Sequence, residues 1–215
     1  MSCIYNLANA LNLCNLGLLL YTYTLAEDIP AGLTVSAIVP DIVSKAPNEL
    51  LSVIFKYGND KEKNLQFGEE LTPTIVKDPP TISWLVDDSA FYTIVMIDPD
   101  SPSSQDPKLQ EMLHWLVANI PGSDISKGEI IAEYIGSAPS KDTGLHRYVL
   151  LAYKQTNKLI IDMPHISNHE RTGRPNFVVR DFARKFNLGE PIAANMFKAQ
   201  YDDYVDILRK QMGEA

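Results

Sequence analysis

The segment Asp98-Pro99-Asp100-Ser101-Pro102 sets two carboxylates two residues apart at the end of an apolar run, Phe91–Ile97 (FYTIVMI). Alternation along an extended chain puts Asp98 and Asp100 on one side. Pro99 and Pro102 fix φ and hold the preceding residues extended, so the segment reads as a stiff rim able to present acceptors. Taken alone, such a string is an ordinary Asp/Pro turn. A second stretch, Gly136–Tyr148 (GSAPSKDTGLHRY), runs from a Gly/Pro/Ser loop into a strand. There His146 and Tyr148 share a face and Arg147 points to the other, where a structural ion pair is expected. A loop beside a strand-borne imidazole and phenol can offer N–H groups and side-chain donors to one small anion. An isolated histidine, by contrast, reads as a satisfied core residue. His114 opens a further strand, with Leu116 expected on its face and Trp115 opposite. His165 and His169, in the polar stretch PHISNHERTG, read as solvated surface residues.

The elements that must position these groups are mostly strands. Leu50–Tyr57 (LLSVIFKY) is rich in β-formers and ends at the turn Gly58-Asn59-Asp60. Lys63–Phe67, Thr81–Val86, Phe91–Ile97, His114–Ile120 and Leu145–Tyr153 follow as strands. The 91–97 run is apolar on both faces, which predicts a central strand covered on both sides. Asp106-Pro107 looks like an N-cap with proline at the first helical position, so a short helix is expected there. Phe177–Leu188 spaces Val178, Phe182 and Phe186 as one helical face, and Tyr201, Tyr204, Val205 and Leu208 make a second stripe near the carboxyl end. Many strands with few, late helices predict a mainly β protein, sandwich-like, with peripheral helices.

Composition sets the outer bounds. The chain has 215 residues, 45% hydrophobic and 21% charged, which fits one globular domain over 27–215 with a full core. A net charge of −8 argues against nucleic acid as a partner, since phosphate contacts need a basic footprint. Residues 1–26 hold no charged side chain and include the apolar run Leu16–Ala26 (LGLLLYTYTLA). This reads as a signal peptide cleaved near Ala26, hence a secreted protein, with a cytoplasmic location as the alternative. Both cysteines, Cys3 and Cys14, fall inside that leader, leaving a mature chain without disulfide, thiol nucleophile or thiolate metal site. The run is too short for a comfortable transmembrane helix.

The strings DPDSPSSQDP, LHWLVANIPG, EYIGSAPSKDTGLHRYVLLAYKQ and QYDDYVDIL, in this order and spacing, resemble the phosphatidylethanolamine-binding protein family, which includes Raf kinase inhibitor proteins. The resemblance spans roughly Val39 to Gln211. It implies two antiparallel sheets with flanking helices, including a C-terminal one. It also implies a small surface cavity for phosphate-like anions and phospholipid headgroups such as phosphatidylethanolamine, with no metal and no cofactor, in a monomer. Carried across residue by residue, the cavity comprises Asp98, Asp100, His114, Ala138, Pro139, His146 and Tyr148. Ala138 stands where many members have glycine, and its N–H is expected to stay available. Arg209 falls where members often supply an aromatic lid, and a cation there could approach an anionic headgroup. On this scheme Asp98 fixes a histidine tautomer and favours the imidazolium, and Asp100 anchors the loop. Anion binding is then expected to strengthen as pH falls through the histidine range.

The implied function is non-enzymatic: a headgroup-binding regulator that docks on a kinase or protease. Two rivals stand beside it. His114, His146 and Asp98 formally make a two-histidine-one-carboxylate set, so a metal-dependent or hydrolytic enzyme is one. The other is a protease inhibitor or scaffold with a vestigial pocket, using the basic stretch Arg171, Arg174, Arg180, Arg184 and Lys185; the simpler reading of that stretch is a solvated helix face.

Overall fold

The computed structural model describes residues 32–34, 36–108 and 111–213; the expected leader at 1–26 lies outside the described residues. Among the described residues nine strands form two sheets. The larger has the order β1 (Glu49–Leu50), β9 (Ala193–Ala199), β8 (His146–Gln155), β5 (Phe91–Asp98), β6 (Met112–Pro121), β7 (Glu129–Ala132). The smaller has the order β3 (Lys61–Asn64), β2 (Ser52–Tyr57), β4 (Thr81–Ser83). Neighbours are antiparallel except β1 and β9, which run parallel. Two helices follow late in the chain, α1 (Val179–Lys185) and α2 (Tyr204–Gln211).

The expectation of a central strand covered on both faces is met in β5. Tyr92, Ile94 and Met96 pack with Val53 and Phe55 of the small sheet. Val95 and Ile97 point the other way, against Val179 and Phe182 of α1 and residues such as Leu33 and Ile38. β8 divides its side chains in the same manner, with Tyr148 and Leu150 toward the small sheet and Val149 and Leu151 toward α1. Period-two alternation thus feeds two cores from one central sheet.

The structure departs from the sequence expectation at several places. The strand expected at 63–67 occupies Lys61–Asn64, because Gly58 and Asp60, both at positive φ, make a tight turn that pairs Tyr57 with Lys61. The strand from Thr81 stops at Ser83 rather than Val86. No helix starts at Asp106 among the described residues; that stretch is turns, and β6 begins at Met112. Tyr201 precedes α2 instead of belonging to it. β9 (AANMFKA) carries no strand signal in its sequence because alanine and asparagine are weak strand formers. Its pairing with seven consecutive residues of β8, from His146↔Ala199 to Ala152↔Ala193, imposes the strand. Among the described residues no helix is long and apolar enough to cross a membrane.

Helix α1 begins without a capping side chain of its own: its N-cap is Val178. The cap comes from Glu111, whose Oε2 accepts the Val179 N–H at 2.9 Å, while its carbonyl accepts the Phe177 N–H at 2.8 Å. Burial pushes the Glu111 carboxyl up to about 7, against the opposing pull of the Val179 N–H. The folded state therefore holds this proton more tightly than the unfolded chain, and stability from this group falls as pH rises from about 4.5 to 7. Glu111→Gln keeps an acceptor for α1 and removes the titration. Urea midpoints should show the variant gaining up to about 3 kcal/mol on wild type between pH 4.5 and 8; a constant difference across that range would refute the assignment.

Candidate anion-binding site

At the end of β5 the sheet register brings the separated motifs together. Ile97 pairs with Val149, which carries Asp98 alongside Tyr148 and within reach of His146 on the same face. Asp98 Oδ2 accepts from His146 Nδ1 at 2.9 Å, and Oδ1 accepts the Asp100 N–H at 2.7 Å. Both residues are almost wholly buried. On its other side, His146 Nε2 lies 2.9 Å from the Thr143 hydroxyl, which donates to the Ser140 carbonyl at 2.7 Å. Ser140 Oγ in turn accepts from Arg209 Nη2 of α2 at 2.6 Å. A continuous polar chain therefore runs from the central sheet, through the 140–143 loop, to the C-terminal helix.

His114 arrives by a different device. The β5–β6 register shifts between Met96↔Trp115 and Ile97↔Leu113, leaving His114 as the extra residue of a bulge. Such an irregularity re-aims a side chain. Here it turns the imidazole edge-on to the Tyr148 ring, 5.1 Å between centroids, and away from Leu116, which packs in the opposite core. The simple alternation expected from sequence fails here, and again between Val117 and Ile120, where the β5–β6 register shifts a second time. His114 Nδ1 faces the carbonyls of Ile135 (3.2 Å) and Gly136 (3.0 Å), so in the neutral ring it holds the proton. Gly136 is required at this crossing: a Cβ there would lie 2.9 Å from the Val76 carbonyl oxygen.

Burial drives His114 down to about 4, outweighing the attraction of Asp98. The ring is therefore neutral at physiological pH and supplies no charge to an anion; the histidine that Asp98 bonds is His146. Tyr148 also differs from its expected role. Its ring is fully buried against Phe197, its hydroxyl accepts the Ala138 N–H at 3.2 Å, and the same hydroxyl bonds Asp98. Burial holds the phenol well above its usual range, so it stays protonated. The Ala138 N–H, expected to be free, is spent on Tyr148.

Around these groups lies a hollow of about 60 Å³ lined by Asp98, His114, Ala138 and His146 from the expected set. Asp100, Pro139 and Tyr148 are not part of its wall. Asp100 instead clamps Arg147, accepting from Nε at 2.9 Å, Nη2 at 2.7 Å and the backbone N–H at 2.8 Å. That is the ion pair expected for the far face of β8, and it is the loop anchor proposed for Asp100. His165 and His169 are exposed, as expected.

The wall also holds three guanidinium groups, Arg171, Arg174 and Arg209. Arg174 lies in the basic stretch for which a solvated helix face is the simpler expectation, yet it is fully buried. Nε bonds the Glu170 carbonyl, Nη1 those of Leu113 and His114, and Nη2 those of Glu133 and Ser167. Burial lowers it to about 10, which leaves it charged at neutral pH. With every N–H engaged, Arg174 gives the hollow charge rather than hydrogen bonds. The sequence signal was present in the basic run 171–185, but no local pattern reveals a guanidinium caged by backbone carbonyls.

His146 and Asp98 are bonded to each other through Nδ1 and Oδ2, and His114 Nδ1 is turned onto carbonyls. Among the described residues no group of three His, Cys, Asp or Glu side chains is placed to hold a metal ion.

This fold belongs to a known class. Residues 44–199 match the family described as phosphatidylethanolamine-binding protein, and the chain is a member of that family. It is 40% identical over 175 residues to the Drosophila melanogaster protein named "Putative odorant-binding protein A5", covering 81% of each chain. It shares 52% identity with the protein of the CG7054 solution structure, with a TM-score of 0.66 over 81% of this chain and 97% of that one. A carboxypeptidase Y inhibitor, solved in complex with its cognate proteinase, has the same fold, with a TM-score of 0.67 at 24% identity over 82% and 97% of the two chains.

Because the folded-state value of His114 lies below its unfolded value near 6.5, the unfolded chain binds more protons between about 4 and 6.5. Stability from this group is full above that window and lost as pH falls through it. Imidazole ¹⁵N shifts of the folded protein should report a neutral Nδ1–H tautomer for His114 down to about pH 5. An imidazolium signature at pH 6 would overturn the assignment.

Proposed function

We propose that the protein is a non-enzymatic binder of phosphate groups, presented free or on a phospholipid headgroup, and that it regulates a partner protein of the kinase or protease type. The observation that carries this reading is the guanidinium-walled hollow beside the buried Asp98–His146 pair. At 10–15 Å³ per water-sized group, its 60 Å³ takes roughly four to six heavy atoms, the size of a tetrahedral oxyanion. Arg171, Arg174 and Arg209 place three positive charges against the single carboxylate of Asp98 among the lining residues. Small-ligand binding is also in keeping with the name of the 40%-identical relative. The inhibitor named above shares the fold alone, so it bears only on the partner class. The protein is further read as a single domain on its length, a monomer as family members commonly are, and secreted on the leader's sequence; its natural amino terminus is then expected near Glu27.

Guanidinium groups do not titrate in the physiological range, whereas a phosphate monoester acquires its second charge near pH 6. Affinity for inorganic phosphate should therefore hold or rise between about pH 5.5 and 7.5, the reverse of a histidine-driven site. Amide shifts at Ala138, Ser140 and His146 would follow the titration. His146→Ala, which cuts the polar chain to the loop, should weaken binding at least about tenfold. Affinity that climbs steadily as pH drops, or a titration that leaves those amides unmoved, contradicts the reading.

A further inference from the structure

We infer that the hollow selects a phosphate monoester whose ester chain carries no ammonium group, and that Arg209 sets this preference. The inference rests on the phosphate-binding reading above and supplies the ligand class.

The argument begins with what an ammonium-bearing headgroup would need. A primary ammonium has three donors and seeks a carboxylate or an aromatic face. Among the lining residues the one carboxylate is Asp98, and both its oxygens are engaged, by the Asp100 N–H and by His146 Nδ1. It is 3% exposed, with Tyr148 also bonded to it. Of the acids at the start of α2, Asp202 accepts from Thr74 and Asp206 from the Tyr201 hydroxyl, and none of Asp202, Asp203 and Asp206 lines the hollow. The Tyr201 ring already faces the ammonium of Lys141, next to Ser140, at 5.8 Å from its centroid. Among the lining residues an incoming ammonium therefore meets cations and one occupied carboxylate.

Arg209 offers the opposite. Its Nη2 is held by Ser140 Oγ, which fixes the guanidinium over the loop. Its Nε is buried and has no acceptor among the described residues. A buried charged donor without a partner is costly, and an anion bound beside Arg209 offsets part of that cost through the charge of the guanidinium. Arg174 contributes charge with all its N–H groups spent on carbonyls, so of these two Arg209 is the one with a donor still to give. A dianionic monoester gains from both; a 2-aminoethyl ester carries a compensating positive charge to the same place.

Ethyl phosphate and 2-aminoethyl phosphate differ only by the amine and make the matched test. At about pH 7.5, where both phosphates are dianionic, calorimetry on the full chain should give ethyl phosphate an advantage of about tenfold or more. Arg209→Met should cost ethyl phosphate roughly 10- to 100-fold and bring the two ligands close to parity. Arg209→Lys, which keeps the charge but not the fork, should fall between. Flotation with phosphatidylcholine vesicles doped with phosphatidic acid or with phosphatidylethanolamine separates the sources. Arg209-dependent capture by phosphatidic acid supports a lipid monoester, and ethyl phosphate binding without capture supports a soluble one. Equal or tighter binding of the aminoethyl ester by wild type, or a selectivity unchanged in Arg209→Met, overturns the inference while leaving phosphate binding standing. Failure of both esters and of inorganic phosphate to bind would instead remove the underlying reading.

Discussion

Asp98 ends β5 with its charge out of water, one oxygen held by a backbone N–H two residues on and the other by His146 from β8. Burying a carboxylate is unfavourable unless its acceptor sites are filled, and removing one partner leaves the other stranded. This pairing fixes where the 98–102 rim, β8 and the 136–143 loop meet, because each supplies or orients a group bonded to the same carboxylate. Tyr148 joins through its hydroxyl and passes the constraint to the Ala138 N–H. His146 passes it through Thr143 and Ser140 to Arg209. The hollow is thus the space left by a network whose members mostly satisfy one another.

That division of labour separates structural polar groups from those able to meet a ligand. The residues most suggestive of chemistry, two histidines, a tyrosine and two aspartates, are largely committed to holding backbone segments in place. Asp100 grips Arg147, which also donates to the Ser36 carbonyl and so ties the 36–37 segment to β8. His114 holds the carbonyls of 135 and 136. Positive charge reaches the hollow from residues distant in sequence and without a motif of their own. Arg174 shows why caging by carbonyls suits that purpose: a guanidinium satisfied without a carboxylate keeps its net charge.

The strands on either side of the site could be read from β-branched and aromatic runs, and the meeting of Asp98 with His146 followed from their motifs and family resemblance. Three features could not. The bulge at His114 comes from a register shift between β5 and β6, a long-range property with no local composition signal. The alanine-rich β9 is a strand because β8 presents it with an edge, not through its own propensity. Glu111 caps α1 from sixty-eight residues away, in place of the N-terminal capping residue a sequence scan looks for. In each case the deciding contact is tertiary, and an amino-acid pattern encodes only its two halves separately.

The charge balance at the hollow also has to be reconciled with the acidity of the whole chain, −8 at neutral pH. A uniform negative surface would repel a phosphate dianion, but exposed charges act weakly beyond about 8 Å at physiological salt. Within that distance the lining residues decide, and there three guanidiniums outnumber one carboxylate. The low-dielectric walls strengthen their field compared with the same charges in water. The acidic exterior and the basic hollow are therefore compatible. The first discourages adsorption to polyanions such as nucleic acid, and the second admits an anion small enough to come within reach of Arg209 without bringing further negative charge against the surface.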